Sequence, residues 1–176
     1  MRQRGSLLAL ASLLVLGAAT HSAAQESAPP GGASQNIAPQ IRAPENLTLL
    51  QGDALHNAFS DRTMDGIYKQ IRQRTGTARF TESFLPSGGT LYREGKIIEK
   101  GRWRLSGPPG FETVICFRYG GTMAGPASCF TVFKNGTCLY SYAPSLVRGG
   151  QPLDTNRWSA KTIIRGEISS CDDLIS

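Results

Sequence analysis

Histidine is nearly missing from this 176-residue chain, which has only His21 and His56. His21 falls in the leader described below, so a mature chain would keep His56 alone. One imidazole cannot build a His-based metal site. A serine triad would have to use His56, and no nucleophile turn stands beside it. The chain also lacks G-x-S-x-G, H-E-x-x-H and any glycine-rich phosphate loop. These absences argue against an enzyme and against a resident cofactor or metal. Cysteine is absent before Cys116, and no C-x-x-C occurs. A lipid-modified N-terminus near residue 24 is therefore excluded. Long apolar runs are missing too. The run at residues 7–19 has 13 residues, short of the roughly 20 that span a bilayer. An integral membrane protein is not expected. No nucleic-acid recognition motif is present, so nucleic acid is not an expected partner.

What is present begins with a leader. Arg2 and Arg4 precede the apolar run, and Ser22-Ala23-Ala24 supplies small residues before Gln25. This pattern predicts a secretory signal peptide over 1–24, cleaved after Ala24. It places the rest of the chain in the periplasm or outside the cell, where cysteines pair. Residues 25–47 are rich in Pro, Gly, Ala and Ser without apolar periodicity. They read as a flexible arm. Residues 48–176 then form a single disulfide-clamped β domain.

Without Arg2 and Arg4 the chain holds 17 basic and 13 acidic residues. From Arg62 to Arg104 there are ten Lys/Arg against four Asp/Glu, and elsewhere seven against nine. That half could meet an anionic envelope component or an acidic protein, or be a solvated basic surface.

A short helix is predicted from Asp53, taken as N-cap, to Phe59, with Leu55, Ala58 and Phe59 on one face. Beyond Thr63 the pattern is β. Eight strands are expected near 63–72, 77–85, 90–93, 96–105, 113–119, 128–134, 137–143 and 158–168, separated by Gly, Pro and Asn turns. Asn135-Gly136 fits a type I′ hairpin loop, which would pair Phe133 with Cys138, Thr131 with Tyr140 and Cys129 with Tyr142. Trp158, Ala160 and Ile164 are expected on one face, opposite Lys161 and Arg165. A meander this long buries one face best by curling closed. The expected fold is all-β, an antiparallel up-and-down barrel of lipocalin or avidin shape, or a half-barrel with the helix over its mouth.

Cys116 and Cys129 flank a turn between neighbouring strands, so the expected disulfides are Cys116–Cys129 and Cys138–Cys171. Strand alternation puts Phe80, Glu82 and Phe84 on one face. If the phenylalanines point inward, Glu82 does too, and a buried carboxyl needs a partner. It is either a polar anchor in a ligand cavity or a structural carboxyl tied to a tyrosine hydroxyl or an arginine. Trp103, in Gly101-Arg102-Trp103, is a further inward aromatic that could contact a ligand. Lipocalin-type barrels use a G-x-W element to close the barrel base.

Thr63-Met64-Asp65-Gly66-Ile67-Tyr68, Phe80-Thr81-Glu82, Gly101-Arg102-Trp103, Cys116-Phe117-Arg118-Tyr119 and Cys129-Phe130 together resemble a group of small, uncharacterised secreted proteins of alphaproteobacteria. The resemblance spans Asp53 to Tyr142 and implies an exported location without implying an activity. The arm followed by a small barrel is similar in plan to bacterial secreted metalloprotease inhibitors. The expected function is non-enzymatic binding through the cavity or the basic face, with Glu82, Trp103, Phe80 and Phe84 as candidate ligand contacts. The alternatives are an interaction protein using the arm and an enzyme using Glu82.

Overall fold

The computed structural model describes residues 44–107, 112–120, 126–168 and 171. The predicted leader and residues 25–43 of the predicted arm lie outside the described residues.

The chain enters through β1 (Thr48–Leu49) and one helix, α1 (Gly52–Phe59). A meander follows: β2 (Arg62–Arg72), β3 (Thr77–Phe84), β4 (Gly89–Glu94), β5 (Ile97–Ser106), β6 (Val114–Tyr119), β7 (Ser128–Asn135) and β8 (Cys138–Tyr142). After a two-stranded ribbon, β9 (Val147–Arg148) and β10 (Gln151–Pro152), comes β11 (Ala160–Ile164). Each strand from β2 to β8 pairs antiparallel with the next, and β11 lies between β8 and β2. The result is a closed eight-stranded antiparallel barrel. Of the two expected forms, the half-barrel is excluded by the β8–β11–β2 seam. Closure satisfies the backbone groups that an open edge would leave bare.

The helix covers the end of the barrel from which β2 departs. Leu55 and Phe59 are buried there with Met64, Phe84, Trp103 and Ile115. Asp53 is not the N-cap. Gln51 takes that position without a side-chain cap, and Asp53 lies in the first turn, where its charge suits the helix dipole.

Ladder register divides each strand into two rows. Met64, Gly66 and Tyr68 of β2 face inward with Phe80, Glu82 and Phe84 of β3 and with Thr90, Tyr92 and Glu94 of β4. Trp103 and Phe117 are inward partners across β5 and β6. A second apolar layer lies outside the barrel, on β7, β8 and β11. There Phe133, Tyr140, Tyr142 and Ile163 are covered by Trp158, Leu47, Leu49 and Val147. Residues 44–47 of the predicted arm are thus tied to the barrel: Pro44 is buried, Leu47 packs on this outer layer, and the Glu45 carbonyl accepts from Asn135 Nδ2 at 2.5 Å.

Two expectations need correction. Trp158 does not join Ala160 and Ile164 inside. It precedes the first rung of β11 and packs outside, 6.5 Å from the Tyr140 ring, with the Lys161 ammonium 5.1 Å from its own ring centroid. The β7–β8 loop is Gly136-Thr137 rather than Asn135-Gly136. Asn135 stays in the ladder opposite Cys138, Phe133 pairs with Tyr140, and Thr131 pairs with Tyr142. Only Gly136 takes positive φ, +59°, as the first position of a type II′ loop requires. The slip is two residues, so every side chain keeps its face.

Both expected disulfides are present. Cys116–Cys129 joins directly opposed residues of β6 and β7 on the outer face. Cys138–Cys171 ties the end of the chain to β8. Two disulfides fit an oxidising compartment. Among the described residues no helix is long and apolar enough to cross a membrane.

Candidate functional site

The barrel interior is not filled. Beyond the helix-covered end lies a cavity of about 380 Å³. Its walls are aromatic, and the rings run in sequence around it. Tyr68 stacks on Phe80 at 4.6 Å, Phe80 lies 5.7 Å from Tyr92, Tyr92 lies 5.3 Å from Tyr119, and Tyr119 lies 6.3 Å from Phe117. Arg72 at the end of β2, Arg74 in the β2–β3 turn and Glu99 border the cavity and keep solvent contact.

Glu82 is the carboxyl inside this aromatic box. It is 4 % exposed. Its Oε1 accepts from Thr90 Oγ1 at 2.7 Å and from Tyr119 Oη at 2.6 Å. No described residue bonds to Oε2, and none forms an ion pair with Glu82. Burial pushes its pKa up to about 7, against the two hydroxyl donors, which favour the ionised form. Of the structural partners considered from sequence, the tyrosine is present and the arginine is not.

Two glycines make the site possible. Gly66 stands opposite Phe80, and a Cβ there would overlap the Phe80 ring. Gly101 stands opposite Tyr119, and a Cβ there would lie 2.5 Å from the Arg118 carbonyl oxygen and 2.7 Å from the Tyr119 ring. A glycine within a strand marks such close approaches. That was the available signal for both positions.

A second polar group occupies the mouth. Glu94 has no exposed side-chain surface. It accepts from Thr75 Oγ1 at 2.5 Å, Tyr92 Oη at 2.8 Å and Arg74 Nη2 at 3.3 Å. Burial pushes its carboxyl upward, but these three donors outweigh it and hold the group below the usual carboxylate range. Because the Tyr92 hydrogen goes to Glu94, the 3.0 Å contact between Tyr68 and Tyr92 has Tyr68 as donor. Burial raises the pKa of both phenols, and the charge of Glu82 adds to burial at Tyr119. The two carboxyls therefore differ in kind. Glu94 is ionised and fully engaged, whereas Glu82, with its pKa pushed up to about 7, lines the cavity and has its hydrogen bonds from described residues on Oε1 alone.

Thr162 of β11 also lines the cavity. It is 6 % exposed, and its hydroxyl has no hydrogen-bond partner among the described residues.

Of the four sequence-predicted contacts, Phe80, Glu82 and Phe84 line the cavity together. Trp103 does not. It packs beneath α1, donates Nε1–H to the Leu85 carbonyl at 3.0 Å, and lies 5.5 Å from the exposed His56 ring. Sequence reasoning missed Tyr68, Tyr92, Tyr119 and Thr162. Thr162 shares strand parity with Ala160 and Ile164, which was a usable signal, whereas no residue on the strands of Tyr68, Tyr92 or Tyr119 had been given a face from sequence.

Among the described residues no group of three or more His, Cys, Asp or Glu side chains could hold a metal. No protein-family model, curated protein or solved structure matches this chain.

Proposed function

We propose that this protein is a periplasmic or secreted binding protein that takes a small, largely apolar molecule into the barrel. The carrying observation is the unfilled aromatic cavity around Glu82, whose hydrogen bonds from described residues both go to Oε1, with the Thr162 hydroxyl unpartnered among the described residues. Small-molecule sites are commonly apolar hollows with a few placed polar groups, and about 300 Å³ is the lower end of their size. The exported location rests on the leader and the paired cysteines. It agrees with the resemblance to alphaproteobacterial secreted proteins. Filling the cavity tests the binding role. Ala160 faces inward beside Phe80 and Tyr92. An Ala160→Leu variant that remains folded should lose the thermal shift that aromatic compounds give the wild type. Equal shifts in both proteins would place binding elsewhere.

A second reading is supported by the outer face of β4–β6. Arg93, Lys100, Arg102, Arg104 and Arg118 all point outward, and no acidic residue holds an outward position on these strands. Arg102 lies directly opposite Arg118. Leu91 and Ile98 are exposed among them at 45 % and 56 %. Basic groups around exposed aliphatics suit a bilayer carrying acidic lipid headgroups. Cosedimentation with phosphatidylglycerol vesicles, lost at high salt and absent with phosphatidylcholine, is the expected result. Equal recovery with both lipids would remove this reading.

A further inference from the structure

Resting on the cavity reading above, we infer that the ligand is a small organic cation, an amine on an apolar or aromatic body, whose ammonium pairs with Glu82 Oε2. Three observations lead there. First, Glu82 is the one formally charged group among the cavity's inner described residues. The nearest cations, Arg72 and Arg74, belong to the mouth. Arg74 is bonded to Glu94 at 3.3 Å and to Glu99 at 3.0 Å, and Arg72 lies 4.8 Å above the Tyr68 ring. No cation among the described residues reaches the buried carboxyl.

Second, both donors to Glu82 converge on Oε1. Tyr119 supports the ionised acid, Thr90 shares its one hydrogen between Glu82 and the Ser83 carbonyl at 2.9 Å, and Oε2 keeps open acceptor positions. A ligand with N–H donors satisfies it, whereas a ligand with only acceptors does so only when Glu82 is protonated.

Third, the surroundings of Glu82 are aromatic rings. Phe80, Tyr92, Tyr119 and Phe117 form a contiguous series of rings. Their negative faces attract a cation, and desolvation strengthens the attraction. An anionic ligand would instead meet a carboxyl among aromatic rings. Thr162 Oγ1, buried on β11 without a described partner, offers an acceptor for a second N–H.

The groups facing Glu82 are Thr90 and Tyr92 on β4, Tyr119 on β6, Met64 opposite it on β2, and Tyr68 further along β2. None is charged at neutral pH, so the incoming ammonium has one counter-ion to find. Below neutrality the proton competes for the same oxygen, and binding of the amine releases it.

Tryptamine, tryptophol and indole-3-propionate share one ring system and differ in the charge of the side chain. Calorimetric titration of each into the wild-type protein at pH 8 tests the inference. Tryptamine should bind at least about tenfold more tightly than tryptophol, and indole-3-propionate most weakly. Glu82→Gln should erase the preference for tryptamine while tryptophol binding changes little. Equal or tighter binding of tryptophol overturns the cation assignment and leaves the cavity reading standing. Preference for the amine that survives in Glu82→Gln also overturns it. If no compound binds the wild type, the cavity reading fails with it. The wild-type comparison alone decides the matter if Glu82→Gln fails to fold.

Discussion

Gly101 and Tyr119 face each other across the β5–β6 ladder at a separation that admits a hydrogen and excludes a methyl. The Tyr119 hydroxyl reaches Glu82 only because its ring can lie over Gly101. Gly101→Ala is therefore expected to cost about 1–3 kcal/mol through overpacking against backbone, since the Arg118 carbonyl cannot move as a side-chain tip can. Chemical denaturation measures the loss. Pushing the Tyr119 ring aside weakens its hydrogen bond to Glu82, so the same variant should raise the Glu82 pKa. Tyr119→Phe, which removes the donor outright, should raise it further. Carboxyl-resolved NMR titration reads both changes directly.

The pH dependence of stability has a definite sign at Glu82. Its pKa rises from 4.5 to about 7 on folding, so the folded chain holds the proton more tightly than the unfolded chain. Stability from this group is complete below pH 4.5 and is lost as pH climbs toward 7. The loss is on the order of 3 kcal/mol, taking about 1.4 kcal/mol for each pH unit between the two values. Glu82→Gln should differ from wild type by about 1 kcal/mol or less near the unfolded value and gain on it by about pH 8. Subtracting the two pH profiles isolates this group from Glu94, whose lowered value acts in the opposite sense. Parallel profiles would show that Glu82 keeps its unfolded pKa in the folded chain.

Loop length ranks the two disulfides. Cys116–Cys129 closes 13 residues and Cys138–Cys171 closes 33. Each should contribute about 2–4 kcal/mol, and chain entropy gives the longer loop roughly 0.8 kcal/mol more. Paired Cys→Ala variants, melted separately, test the order. Non-reducing peptide mapping of the natural protein should return these two linkages and no free thiol.

Arg165 donates to both Asp65 oxygens, at 2.9 and 2.5 Å, on the outer face of β2 and β11, and to Thr81 at 3.0 Å. The Arg165 bond is the main reason that the Asp65 pKa is lowered. The pair is well exposed, so Arg165→Ala should cost no more than about 1 kcal/mol. Its contribution is present above the unfolded value of 3.8 and fades as pH falls through the lowered folded value. A cost that persists unchanged in strong acid would mean that packing, rather than charge, holds Arg165.

Much of this architecture was legible because the barrel strands alternate cleanly and end in glycine turns. Phe80, Glu82 and Phe84 could be placed inside from parity alone, and Cys116 could be matched to Cys129 across one turn. Parity does not reveal which residues occupy the same height in the barrel. Glu82, Thr90 and Tyr119 therefore could not be brought together from sequence, and Trp103 could not be separated from the cavity. The β7–β8 register slipped because Asn135-Gly136 satisfies a type I′ loop as well as Gly136-Thr137 satisfies a type II′ loop. The outer apolar layer was hidden for another reason. Barrel strands are read as having one wet face, but here Phe133, Tyr140 and Tyr142 are covered by segments distant in the chain.

The position of β11 has a consequence for the order in which this chain can fold. Ile164 pairs with Met64, far earlier in the chain, and the barrel cannot shut until β11 slides between β2 and β8. The meander from β2 to β8 can zip locally, hairpin by hairpin, and Cys116–Cys129 can form with it. Until the seam closes, β2 and β8 remain open templates for another chain. Cys171 lies beyond β11, so the Cys138–Cys171 bond is expected to form with or after closure of the seam. Delayed seam closure would show as a slow phase in which that bond lags behind Cys116–Cys129, with aggregation confined to the interval between them.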